Sequence, residues 1–184
     1  MTFDLSIMAD TPTPHAGGGG IGDITSNERG SGARFNGGKA PFELIPLRLI
    51  ARAFMQRRAP GSTDVAEALS FAGKFQETGE RQHLFDAMSA LDDNWESCAK
   101  VFEHGRAKYA AWNWAKGMPW SAPVGCIGRH ALKVLRGEYR DDESGQLHAG
   151  HILCNLVMLA TYVDTYPEGN DLPSPELFAS RAAA

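Results

Sequence analysis

Residues 137–151, GEYRDDESGQLHAGH, place four acids and two histidines in fifteen positions, with Ser144-Gly145 between the two groups. Glu138 and Asp141 are three apart, and Glu138 and Asp142 are four apart. If the preceding helix runs through them, either pair shares one face and can grip one hard cation. His148, His151 and Asn155 stand at i, i+3 and i+7 of the next segment, which makes a second single-faced stripe. Two antiparallel helices joined at Ser144-Gly145 would bring the acids beside the histidines, as bundle cores do when they build metal sites. Carboxylate oxygens suit Mg²⁺ or Mn²⁺. The chemistry such a site serves is cleavage of a phosphoanhydride. A divalent ion neutralises the charge that develops on the phosphate oxygens and lowers the pKa of a water, and a nearby carboxylate takes that water's proton. For any one of these residues a solvated turn or a packed histidine is the plainer explanation. Their joint spacing on two successive segments is what points to a cation.

Two further stretches could hold the rest of a substrate. RFNGGK, at 34–39, offers Arg34, Asn36, Lys39 and backbone amides, a loop able to hold phosphates by charge and N–H groups. It lacks the GxxxxGK[ST] spacing of a P-loop, and by itself it also reads as an ordinary turn. GRAKYAAWNWAKG, at 105–117, puts Lys108, Asn113 and Lys116 among Tyr109, Trp112 and Trp114. Aromatic faces stack on bases, while amide and ammonium groups read edges or phosphates. The same tryptophans could equally anchor a helix end. Arg129 and His130 lie about two turns before Glu138 and could reach the same pocket.

The elements that must position these groups read as helices. Asn36-Gly37-Gly38 marks a turn, and Leu44, Leu47, Ile50, Ala51 and Phe54 then recur at helical spacing, with Pro46 suited to a first turn. Ser62-Thr63-Asp64 is a start signal for a second helix, and Gly79 separates it from a third, QHLFDAMSALDD. A fourth is expected over 94–111, a fifth from Ser121 to about Glu138, and a sixth over about 146–165 with the strongest apolar face. No period-2 strand with hairpin signals is found. The predicted fold is an all-α helical bundle of about five to six helices. An irregular Gly/Pro-rich arm is expected over 1–33, a catalytic domain over 34–166, and an irregular tail over 167–184.

Composition narrows the classes. Of 184 residues, 43% are hydrophobic and 22% charged, as in ordinary globular domains. Acids outnumber bases 22 to 18, a net charge of −4, which argues against a broad surface for a nucleic-acid polymer. No apolar run reaches the roughly 18 residues a membrane span needs, and no secretory signal pattern opens the chain. Three cysteines with no CxxC fit a reducing cytoplasm and argue against a Cys-based zinc site.

Taken in order, RFNGGKAPFELIP, GRAKYAAWNWAKG and GRHALKVLRGEYRDDESGQLHAGHILCNL resemble the dATP/dGTP diphosphohydrolase family of phages and bacteria. The motifs cover 34–46 and 105–156. The family pattern falls on Arg34, Asn36, Gly38 and Lys39; on Lys108, Tyr109, Asn113 and Trp114; and on Arg129, His130, Glu138, Asp141, Glu143, Ser144, Gly145, His148, His151 and Asn155. The resemblance implies a MazG-like, all-α, Mg²⁺- or Mn²⁺-dependent pyrophosphohydrolase that acts as a dimer or tetramer in the cytoplasm, the host's if phage-encoded. It further implies conversion of dGTP or dATP to the monophosphate and pyrophosphate. In relatives from phages that replace adenine with 2-aminoadenine, the dGMP feeds synthesis of the modified nucleotide. Two positions depart from the pattern. Ala110 stands where Gly usually follows Lys-Tyr, and Gly150 replaces the usual Ala before His151. Both exchanges are between small residues and are expected to change little. Typical MazG proteins carry ExxE and ExxD on two helices, whereas here His151 and Asn155 take the place of one half. Residues 60–93 fall outside the motifs.

Residues and resemblance together give the following expectations. Glu138, Asp141 and His151 are catalytic. Glu138, Asp141, Asp142, Glu143, His148, His151 and Asn155 are the candidate metal ligands. Arg34, Asn36, Lys39, Lys108, Asn113, Trp114, Arg129 and His130 meet a nucleoside triphosphate. Two other classes compete. An HD-type triphosphohydrolase needs an adjacent His-Asp pair, which the sequence lacks. A non-enzymatic helical module would leave the acids as a solvated turn.

Overall fold

The computed structural model describes residues 20–57 and 62–178. The expectations for 1–19 and 179–184 lie outside the described residues. Six α-helices account for most of the rest: α1 Leu47–Arg57, α2 Thr63–Thr78, α3 Gln82–Ser89, α4 Trp95–Tyr109, α5 Ser121–Leu135 and α6 His148–Thr165. The all-α bundle is the observed fold.

Helix α6 is the central post. It packs on α3, α4 and α5, while α1 and α2 pair with each other and α1 also reaches α5. Its sequence explains the position. Ile152, Leu153, Leu156, Leu159 and Tyr162 are all buried, so apolar residues cover more than one stripe of the helix. Residues 63–89, which no motif covered, supply Leu69, Phe75 and Leu84 to the same core. That segment is therefore a wall of the bundle. Gly79, at φ +72° in the left-handed region, ends α2 as its position in the sequence suggests.

A small sheet was not anticipated. β1 (Gly20–Ile21) pairs antiparallel with β2 (Arg34–Phe35), Gly20 opposite Phe35 and Ile21 opposite Arg34. Two-residue strands are too short to leave an alternating pattern. The chain between them follows the 113–117 turn. Gly30 and Gly32 donate N–H bonds to the carbonyls of Lys116 and Gly117 at 2.7 and 2.8 Å. Lys116 Nζ donates to the carbonyls of Ile24 and Ser26.

Helix α5 stops three residues earlier than expected. Gly137 takes φ +84°. Its N–H bonds the carbonyl of Val134, and that of Glu138 bonds the carbonyl of Lys133. This is a Schellman ending, which needs glycine at the left-handed position. Glu138, Asp141 and Asp142 therefore do not share a helical face. They sit on a hairpin instead. Arg140 bridges Leu147, Asp141 N–H donates to Gln146 O, and His148 N–H donates to Tyr139 O. Helix α6 accordingly begins at His148, slightly later than expected.

Candidate active site

The hairpin folds Asp141 back over the first turn of α6. Ser144 donates to Asp141 Oδ1 from both its backbone N–H and its hydroxyl, each at 2.9 Å. The same hydroxyl lies 2.8 Å from His151 Nε2. With Ser144 donating to Asp141, His151 donates from Nε2, so three side chains form one directed chain. On the other side, His130 from α5 faces His148 from α6, Nδ1 to Nδ1 at 2.8 Å, and stacks on His151 with ring centroids 4.2 Å apart.

Among the described residues, His130, Asp141 and His148 form a group able to hold a metal ion, their ligand atoms all within 4.8 Å of one another. A bound ion holds its donors about 2 Å from its centre, so these atoms would have to adjust their mutual distances to take one. The donor chemistry fits a divalent cation. Burial, with the neighbouring imidazoles, holds His130 well below its ordinary pKa. Burial pushes His151 down to about 4 against the opposing pull of Asp141. Burial likewise lowers His148. All three rings are thus neutral near pH 7, the form that ligates metals. Burial alone would raise the Asp141 carboxyl, but the Ser144 bonds and the histidines more than offset it and the net shift is downward.

This cluster opens into a cavity of about 670 Å³. Arg34, Lys39 and Lys108 line it, as do Phe102, Tyr109, Trp112 and Trp114. The Arg34 guanidinium has a long contact to Met118 sulfur, 3.9 Å, as its hydrogen bond among the described residues, and no carboxylate partner. Burial first lowers the Lys39 pKa; Cys126 opposes this, and the fields of Arg129, Arg34 and Lys108 add to the lowering. Of these three, only Lys108 meets an acid among the described residues, Glu143 at 2.6 Å. Unpaired cations gathered in one recess are costly unless an anion joins them. At the other end Trp114 packs on Phe102 at 5.1 Å and on Trp112 at 6.0 Å, and Trp112 is 72% exposed. Those aromatic faces can receive a flat ring.

The expected site residues are thus distributed as follows. Arg34, Lys39, Lys108, Trp114, His130, Asp141, Glu143 and His151 line the cavity. His148 is buried behind it in the cluster. Asn155 is also buried; its amide nitrogen donates to the His151 carbonyl, and its oxygen has no hydrogen-bond partner among the described residues. Asn113 also lines the cavity, but both ends of its amide are engaged by the Ala33 backbone, at 2.8 and 3.1 Å. Asn36 and Arg129 meet each other at 3.5 Å, and Arg129 also donates to Ala40 O, so they shape the loop that carries Lys39. Glu138 pairs with Lys133 at the surface, and Asp142 is exposed. Sequence spacing placed His130 with the substrate, whereas the fold brings it into the ligand group. Its neighbour across the α5–α6 interface is eighteen positions away, and no local periodicity reports such a contact.

The two departures from the motif pattern matter more than expected. Ala110 takes φ 85° and ψ 161°, a region essentially reserved for glycine. Gly150 lies where α4 crosses α6, and a Cβ there would stand 2.4 Å from Ser97 Oγ. That serine accepts the Leu147 N–H at the start of α6.

The fold is thus an all-α bundle with an imidazole–carboxylate cluster facing a recess lined by Arg34, Lys39 and Lys108. The chain belongs to the family described as dATP/dGTP diphosphohydrolase, N-terminal, whose model matches residues 72–172, just over half its length. It is also similar to a protein of Salmonella phage PMBT28 named dATP/dGTP diphosphohydrolase, 28% identical over 85 residues. The match takes in 46% of this chain and 29% of that protein, so the chain spans under a third of that relative. No solved structure matches the chain.

Proposed function

We propose that this domain is a metal-dependent nucleotide pyrophosphohydrolase, converting dGTP or dATP to the monophosphate and pyrophosphate with Mg²⁺ or Mn²⁺. The observation that carries this reading is the single cavity joining the His130–Asp141–His148 cluster, the cations Arg34, Lys39 and Lys108, and the aromatic end. The family and the phage relative support the substrate class by their names.

A divalent ion held by His130, Asp141 and His148 would supply charge neutralisation and acidify a water. The chain's own groups do the rest. Arg34 and Lys39 bind the triphosphate through charge and N–H donors. Lys108 can release Glu143 to meet a phosphate oxygen and so carry charge toward the leaving pyrophosphate. The His151–Ser144–Asp141 chain keeps the carboxylate in one orientation. Trp114 and Trp112 stack on the purine. Assembly as a dimer or tetramer belongs to the same proposal, and dGMP made here would feed synthesis of 2-aminoadenine nucleotide in a phage that uses that base.

The test is product analysis. Incubated with each of the four dNTPs and Mn²⁺, the protein is expected to release dNMP and pyrophosphate from the purine nucleotides. Nucleoside plus triphosphate would instead assign the HD-type reaction, and no turnover would leave a binding module.

A further inference from the structure

We propose that the His130–Asp141–His148 cluster selects a transition-metal ion that accepts imidazole ligands, in the class of Mn²⁺, Fe²⁺, Co²⁺ or Zn²⁺, over Mg²⁺. This rests on reading the cavity as a metal-assisted site and narrows which ion it takes.

The donor set is the first argument. Two imidazoles and one carboxylate compose the group, and a third imidazole, His151, stacks against it. Mg²⁺ takes oxygen donors and dehydrates reluctantly, so it keeps several waters. Imidazole nitrogen suits the first-row transition ions and zinc. Among the described residues Asp141 is the one acid in that group: Glu138 is with Lys133, Asp142 is exposed, and Glu103 and Glu143 stand on the cavity wall outside it, Glu143 engaged by Lys108.

Geometry is the second. His130 and His148 present Nδ1 to Nδ1 at 2.8 Å. Two nitrogens bound about 2.1 Å from one ion, at tetrahedral or octahedral angles, lie about 3.0–3.4 Å apart. The pair therefore needs to open by only a few tenths of an ångström. One ring carries the proton in that contact. With that proton on Nε2 of the same ring instead, both Nδ1 lone pairs would be available to an ion and each ring would stay neutral.

Third, the surroundings are arranged as ligand supports. Ser144 fixes the Asp141 oxygen by two bonds, and partners of this kind orient metal ligands elsewhere. Asn155, 1% exposed on the same stripe of α6, keeps a side-chain oxygen with no hydrogen-bond partner among the described residues.

The experiment is a metal titration of the full chain stripped with chelator, followed by calorimetry for Mg²⁺, Mn²⁺ and Co²⁺ and by the visible absorption of Co²⁺. One site is expected, binding Co²⁺ and Mn²⁺ at least 100-fold more tightly than Mg²⁺, with a Co²⁺ spectrum typical of nitrogen ligation. His130→Gln and His148→Gln should each weaken Co²⁺ at least tenfold and alter that spectrum, whereas His83→Ala on α3 should leave both unchanged. Circular dichroism checks that the variants fold. The wild-type comparison of Mg²⁺ with Co²⁺ decides even if they do not. Mg²⁺ binding as tightly as Co²⁺, or a Co²⁺ spectrum indifferent to both histidine variants, would overturn the inference. Hydrolysis of dGTP with Mg²⁺ alone, by protein whose histidines bind no Co²⁺, would overturn it while leaving the proposed activity standing. Tight Co²⁺ binding to the histidines without any nucleotide turnover would do the reverse.

Discussion

Asp141 is held by Ser144 from two directions, and His151 closes the same chain of bonds. Asp141→Asn keeps the shape but removes the charge. It is expected to lower turnover of a purine dNTP at least 100-fold while helical circular dichroism is retained; activity within tenfold of wild type would remove Asp141 from the site. His151 gives a pH signature. It titrates near 6.5 when unfolded and about 4 in the fold, because burial disfavours its charged form. The folded state therefore binds fewer protons between those values. Stability is full above pH 6.5 and falls as the pH drops toward 4, by up to about 3 kcal/mol from this residue. Chemical denaturation at stepped pH should show that decline, and His151→Gln should make it shallower, with His130 and His148, also lowered by burial, supplying the remainder. The hairpin acids were visible as candidates in the sequence. Their division was not: Asp141 turns inward because Ser144, three residues on, donates both its N–H and its hydroxyl to the carboxylate, while Glu138 is engaged by Lys133. Ala110 is a second residue-scale case. Replacing it with Gly relieves a backbone that L side chains avoid, and should raise stability by about 1 kcal/mol in a denaturant titration. An unchanged or lower midpoint would mean that the strain is absent.

At the level of elements, the helices were largely legible because their cues are local. Gly79 after α2, Pro46 before α1 and the apolar coverage of α6 each act within a turn or two of the chain. The end of α5 was misjudged although Gly137 is also a local cue, because the acid spacing beyond it resembled one more helical turn. The latch between the N-terminal segment and the 113–117 turn had no local cue. Asn113 looked like a base reader beside its tryptophans, yet its amide is spent on Ala33, which sets the next residue, Arg34, in the cavity. Asn113→Ala should therefore raise the KM for nucleotide through loss of Arg34 placement, with a smaller effect on kcat. The crossing of α4 and α6 makes a sharper claim. Gly150→Ala should cost about 1–3 kcal/mol, since the added methyl meets Ser97 at the N-terminus of α6. A thermal midpoint equal to wild type would show that Ser97 yields without cost.

For the molecule as a whole, the fold is a device for bringing together groups far apart in sequence. Arg34 and Lys39 arrive from the segment before α1, Lys108 from α4, His130 from α5, Asp141 from the hairpin and His148 from α6. Motif order suggested that these groups belong to one site, but only the packing of α4 and α5 on α6 shows which of them meet. No helix among the described residues is long and apolar enough to cross a membrane. The central claim is that one cavity holds the polyphosphate between unpaired cations and the imidazole–carboxylate cluster. Calorimetric binding of a non-hydrolysable α,β-imido dGTP in the presence of Mn²⁺ tests it without requiring turnover. One molecule should bind per chain, with Arg34→Ala and Lys39→Ala each weakening affinity at least tenfold and chelation of the metal weakening it further. Binding that is absent, or that is indifferent to both cations and to the metal, would contradict the account.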